Sequence, residues 1–186
     1  MQNNLKKQIE KDLIKWDSIE LHRTGTKGDE QTAFWLADEI KKCGLQPQLD
    51  SFSFTKRTPG KCEVTNGTFK AKGLPMFDGG STSSKGITEV SGSLNEKNVI
   101  AVTKYSSSTM DEASLRLNEA RKEHKHLAIV AIADVAPNAP GLAVLNAESY
   151  RKPFGPPVLQ VATKEQYWLL KLNKNEELTV SVQLTD

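Results

Sequence analysis

A few places in this sequence carry side chains that could do chemistry. His22-Arg23-Thr24-Gly25-Thr26 is the most informative. A cationic loop running into a helix start could hold a carboxylate, because the helix presents free N–H groups and the positive end of its dipole. The competing reading is a turn at the helix start, with His22 and Arg23 packed on their neighbours. Asp134 follows the apolar run Leu127–Ala133. A carboxylate at the C-terminal end of a buried strand is a common catalytic or ligand position. No His or Glu partner stands near it, so turn chemistry is the default. These three residues, His22, Arg23 and Asp134, are the candidates for binding.

Other patterns carry less. His124 and His126 have the spacing of a metal pair on one strand face. They stand where a helix ends and a strand begins, opposite the end at which α/β sheets place their sites, and the helix dipole accounts for a His there. Gly79-Gly80-Ser-Thr-Ser-Ser-Lys85 lacks the Gly-Lys-Ser/Thr ending and the following helix that a phosphate cradle requires. Cys43 and Cys62 show no CxxC spacing and read as packed thiols. No GxSxG, no HExxH and no cysteine with a histidine base occurs, so serine, cysteine and HExxH-type zinc catalysis find no support. No catalytic residue and no metal ligand is assigned.

The elements that would position these residues follow from periodicity. Leu5, Ile9, Leu13 and Trp16 predict a helix from about Asn4 to Trp16. Thr26 with Asp29 predicts a capping box, and a second helix over Asp29–Cys43 buries Ala33, Leu36, Ala37 and Ile40 and stops at Gly44. Gln48–Phe54 alternates as a strand. Asn66-Gly67 predicts a tight type I′ hairpin within Lys61–Ala71; with Thr68 it also spells a glycosylation sequon. Residues 73–93, rich in Gly, Ser and Thr, read as loops and short strands. Asn98–Thr103, Asp111–His124 and Leu127–Ala133 form a strand, a helix and a strand buried on both faces. A loop marked by Pro137, Pro140 and Gly141 follows. Val158–Val161 is a strand, Thr163 caps a short helix through Leu172, and Glu177–Leu184 is a closing strand.

Composition bounds the reading. The 186 residues, 37% of them hydrophobic and 26% charged, suit one ordinary domain or two small ones. The net charge of +2 is spread over both halves, so nothing points to nucleic acid. No apolar run is long enough for a membrane span. The polar start Met1-Gln-Asn-Asn-Leu-Lys-Lys has no signal-peptide core, and the expected location is cytoplasmic.

His22-Arg-Thr-Gly-Thr-x-Gly28-Asp29, followed by a helix ending Lys42-Cys43-Gly44-Leu45, resembles the N-terminal segment of zinc aminopeptidases of the aminopeptidase Y and glutamate carboxypeptidase type. Gly73–Gly80, the unit ending Ala128–Ala133, Pro140–Glu148 and Pro153–Val161 together resemble the protease-associated (PA) domain often inserted in that family. The resemblance implies an α/β fold: an N-terminal helix pair and strand (1–52), an inserted β-rich PA-like domain containing a βαβ unit (53–173), and a return strand (174–186). The family's zinc ligands lie after the insert, so none maps onto this sequence. It therefore implies no cofactor in this chain, with zinc expected only if a catalytic half follows, and little activity for the chain alone. On this reading the chain is a non-catalytic N-terminal and PA portion, shaping substrate access or mediating a protein interaction. The alternative is a stand-alone peptide- or protein-binding module that dimerises. Either way the expected partners are a peptide, a protein or a second copy, with no nucleic acid and no membrane. A weaker third reading makes Asp134 and the His22 loop the site of a distinct enzyme.

Overall fold

The computed structural model describes residues 2–106, 111–134, 142, 151–173 and 175–185. The chain divides into two compact units, 1–56 and 57–186. The division falls after Lys56 rather than at the expected residue 52.

The N-terminal unit is a pair of helices with an extended tail. Helix α1 spans Gln2–Asp17 and α2 spans Lys27–Lys42. Thr26 caps α2, its hydroxyl oxygen accepting the Asp29 amide, and Gly44 ends it with φ +82, a conformation only glycine adopts without strain. Both boundaries lie close to expectation. The burial does not. Of the stripe expected on α2 only Ala37 is buried, while Leu36 and Ile40 are exposed. Along α1, Leu5, Ile9, Leu13 and Trp16 are all exposed. A helix period marks the face a helix should bury; covering it takes a further surface.

The strand expected over Gln48–Phe54 does not form. These residues are extended in sequence pattern but pair with no strand among the described residues, and Phe52 stays 75% exposed. Alternation gives a segment two faces; a strand exists only when a neighbour completes its ladder.

The C-terminal unit is one mixed sheet with helices against it. Its strands are β1 (Thr58–Thr65), β2 (Lys70–Lys72), β3 (Leu74–Pro75), β4 (Ile87–Gly92), β5 (Ile100–Tyr105), β6 (Ala128–Ala133), β7 (Val158–Val161) and β8 (Glu177–Thr185). Helix α3 is Glu112–Glu123, and the short α4 is Gln166–Leu169. The strand order is β2-β1-β8-β4-β5-β6-β7-β3. From β2 to β4 the pairing is antiparallel, and from β4 to β7 parallel. The sheet bends so that its two halves face each other. Val64, Val180 and Val182 of the antiparallel half share a core with Val130, Ile132, Leu159 and Val161 of the parallel half. On the far side of the parallel half, Ala101, Ile129 and Ala131 pack with Leu117 and Ala120 of α3. All six residues of β6 are therefore buried, as its continuous apolar run requires.

Three local expectations are corrected. The closing strand β8 is not a separate return element: it lies between β1 and β4 at the heart of this sheet. The Asn66 hairpin is not a two-residue type I′ turn. Only Gly67 has positive φ, and the Asn66 side-chain oxygen accepts the Thr68 and Phe69 amides, closing a longer loop. Thr163 does not cap α4; its hydroxyl donates to the Ala133 carbonyl and ties the chain to the end of β6. The loop of Pro137, Pro140 and Gly141, and the family-like segment Pro140–Glu148, lie outside the described residues apart from Leu142. Among the described residues no helix is long and apolar enough to cross a membrane.

Candidate functional site

The His22 loop is held from both ends. His22 stacks on Trp16 at 4.2 Å between ring centres, and its Nδ1 lies 3.1 Å from the Thr32 hydroxyl. Thr32 in turn donates to the Gly28 carbonyl. The Thr26 hydroxyl reaches the Leu21 and Arg23 carbonyls, and the Asp29 carboxylate accepts the Gly25 amide at 2.9 Å. The capping box is thus present with a shift: its acid answers Gly25, and the Thr26 amide donates to the Arg23 carbonyl instead. Gly28 is fixed by contact, since a Cβ there would fall 1.7 Å from the Glu20 carbonyl oxygen. His22 and Arg23 are both half-buried. Asp29 already occupies the positive end of the α2 dipole, so the arrangement is that of a loop built to start a helix.

Asp134 sits at the C-terminal end of β6, where its amide donates to the Tyr105 carbonyl at 2.7 Å. Its exposed carboxylate lies 3.7 Å from the Lys104 ammonium. This surface pair is screened by water and orders little. Asp134 belongs to the C-terminal unit, and His22 and Arg23 to the N-terminal one.

The two histidines of the HxH stretch part company. His124 ends α3 with φ 52 and is exposed, whereas His126 is buried with neither ring nitrogen hydrogen-bonded. Cys62 is buried, which pushes its thiol pKa up, and Cys43 is exposed.

Two buried polar groupings escaped the sequence reading. Arg121 of α3 is completely buried and pairs with the nearly buried Asp78. The Phe154 ring lies 4.2 Å from the guanidinium carbon. The Asp78 carbonyl accepts the Phe154 amide, and Gly155 approaches Arg121 so closely that a Cβ would sit 2.6 Å from the Arg121 carbonyl oxygen. One arginine thereby pins two loops, 76–80 and 153–157, to α3. The second grouping is a chain: the Tyr105 hydroxyl donates to the Gln160 side-chain oxygen at 2.7 Å, and the Gln160 amide donates to the Pro75 carbonyl at 3.0 Å. Burial pushes the Tyr105 pKa up to about 12. The glycines at 79, 80 and 155 are the one local sign of close backbone approach, and nothing local marks Arg121 or Gln160.

No family model matches the sequence, and no curated protein matches it. The fold does resemble part of the zinc aminopeptidase fold. A zinc aminopeptidase from Bacillus subtilis superimposes with a TM-score of 0.58 and 14% identity, over 86% of this chain and 39% of that one. An aminopeptidase from Aneurinibacillus sp. strain AM-1 gives 0.51 and 13%, over 87% and 40%. The chain spans about two fifths of the length of these enzymes.

The described residues do not fit a zinc ion of the kind the first of these enzymes carries. A zinc site gathers three or four His, Cys, Asp or Glu ligands. Among the described residues no group of three such side chains converges. His22 is held by Trp16 and Thr32, His126 is enclosed alone, and Asp134 faces Lys104. No catalytic step through a metal follows from the described side chains.

Proposed function

We propose that this chain is the non-catalytic N-terminal and PA-like portion of a zinc-aminopeptidase-like protein, and that it shapes access of peptide substrates or holds a protein partner. The observation that carries the reading is the uncovered N-terminal unit. Leu5, Ile9, Leu13 and Ile14 of α1 and Phe34, Leu36 and Ile40 of α2 all remain exposed. Each large aliphatic group left in water forgoes about 1.5–3 kcal/mol of burial. Two 16-residue helices have little stability of their own without tertiary packing. The strand-patterned segment 48–54 likewise has no ladder partner among the described residues. A helix pair and a strand-patterned segment that all await a neighbour are what one flank of a larger α/β layer looks like.

The C-terminal unit supports the PA-like part of the reading. It has its own core, a bent mixed sheet, and parallel neighbours β5 and β6 with α3 between them in the chain. The Asp78–Arg121 pair joins the two glycine-bearing loops that the family resemblance singles out. In this role the unit is a rigid body that covers or frames a site built elsewhere.

The test is the behaviour of the uncovered face in solution. The full chain should bind the apolar dye ANS or self-associate in sedimentation. Leu13→Lys with Ile40→Lys should suppress both while leaving the main melting transition in place. A monodisperse monomer that ignores the dye, with slow amide exchange throughout α1 and α2, would contradict the proposal. A discrete dimer that buries this face would favour the stand-alone module over the lid.

A further inference from the structure

The sheet of the C-terminal unit has a gap in its middle. β4 pairs with β8 through Ile87–Val90, and reaches β5 only where Ser91 and Gly92 meet Ile100 and Ala101. The remainder of β5, Val102–Tyr105, has β6 on one side and no described strand on the other. In a parallel ladder alternate residues aim their backbone groups at the same neighbour. The Val99 and Tyr105 carbonyls accept amides from the β6 side, Leu127 and Asp134. Val102 and Lys104 therefore face the gap. There the Val102 carbonyl and the Lys104 amide have no backbone partner among the described residues.

This edge is recessed, not bare. Val102, Thr103 and Lys104 are half-buried. A groove of about 600 Å³ lies on the α3 side, lined by polar groups that include Asn95, Thr103, Arg116 and Glu119. A second groove of about 390 Å³ lies on the other side, where Val102, Leu169, Leu170 and Leu172 form an apolar wall beside the polar Glu96 and Asn173. Both grooves reach Ser93 and Val102, so they meet at the free edge.

We infer that this edge takes up an extended peptide as an added strand beside β5, with apolar side chains over Leu170 and Leu172 and the alternate, polar ones beside Thr103 and Arg116. Three features select that occupant. Unpaired strand N–H and C=O groups are complemented by another extended backbone. A strand sends successive side chains to opposite faces, which matches a leucine wall on one side and a mainly polar groove on the other. A second copy of this chain is a poor occupant, because its own β5 edge is recessed between the same walls. The inference stands on the sheet gap alone and does not need the N-terminal unit to have a partner.

The probe is a fluorescent, end-capped hexapeptide of alternating leucine and serine, titrated against the full chain by anisotropy and by amide exchange. The peptide should bind and slow exchange of the Lys104 amide. A version with alternate amides N-methylated should bind about tenfold more weakly or worse, because it cannot complete the ladder. Leu170→Glu, at a half-exposed position on the leucine wall, should weaken binding by a similar factor without moving the melting transition. No binding up to about 1 mM, equal binding of the N-methylated peptide, or protection lying away from β5 would each overturn the inference. The N-methyl comparison needs no variant and stands even if Leu170→Glu fails to fold.

Discussion

Replacing Asp78 with alanine should strongly destabilise the C-terminal unit. Arg121 has no exposed surface, and its Nε already lacks a hydrogen-bond partner. Without Asp78 its charge would keep, among the described residues, only Asn118, at 3.2 Å, and the Phe154 ring. Leaving a buried charge unmatched costs about 3–5 kcal/mol. For a unit of this size that corresponds to a fall in Tm of roughly 10–20 °C, read by circular dichroism or calorimetry. The paired replacement Asp78→Leu with Arg121→Met removes both charges and should recover most of the loss, since an apolar pair of similar volume substitutes well for a buried ion pair. A fall of less than about 3 °C for Asp78→Ala, or a double variant as unstable as the single one, would refute the argument that charge desolvation dominates here.

Other consequences can be checked more briefly. Tyr105 is protonated in the fold up to about pH 12, whereas an unfolded tyrosine titrates near 10. The folded state holds this proton more tightly, so its contribution is intact below pH 10 and is lost as the pH rises from 10 towards 12; denaturant unfolding across that range should show stability falling, and Tyr105→Phe should flatten the dependence. Cys43 should react at once with a thiol reagent and Cys62 only after unfolding, in keeping with exposure of the first and burial of the second; equal rates would contradict the placement. Gly28→Ala should cost at least about 1–3 kcal/mol locally, because its Cβ would collide with the Glu20 backbone; faster amide exchange at the start of α2, with β6 unchanged, is the expected readout.

Much of the fold was legible because it is written in local patterns. Thr26 and Gly44 bracket α2 through backbone groups only a few residues away, and the run Leu127–Ala133 declares a strand buried on both faces. What stayed hidden depends on distant neighbours. Gln48–Phe54 alternates like a strand yet joins no ladder among the described residues, and the stripe Leu36, Ile40 stays exposed. Asn66 looked like a two-residue turn until its own side chain was seen to satisfy the Thr68 and Phe69 amides. The resemblance makes the final strand a return element, since alternation alone names no partner, and β8 in fact bridges β1 and β4. The same limit applies to the candidate sites. His22 and Arg23 lie on a loop at a helix start, as the spacing predicts, whereas the Trp16 stack and the Thr32 contact of His22 have no local signature. The Asp78–Arg121 pair joins residues far apart in sequence, with no spacing to announce it. The β5 edge is visible only once the strand order is known.

On the proposed function, the chain by itself does not hydrolyse peptides and serves a site built elsewhere. The most direct measurement is metal content and aminoacyl-p-nitroanilide hydrolysis on the purified 186-residue chain, with and without added zinc. The account predicts no stoichiometric zinc and no hydrolysis above background. One bound zinc per chain, together with chelator-sensitive release of p-nitroaniline, would contradict it.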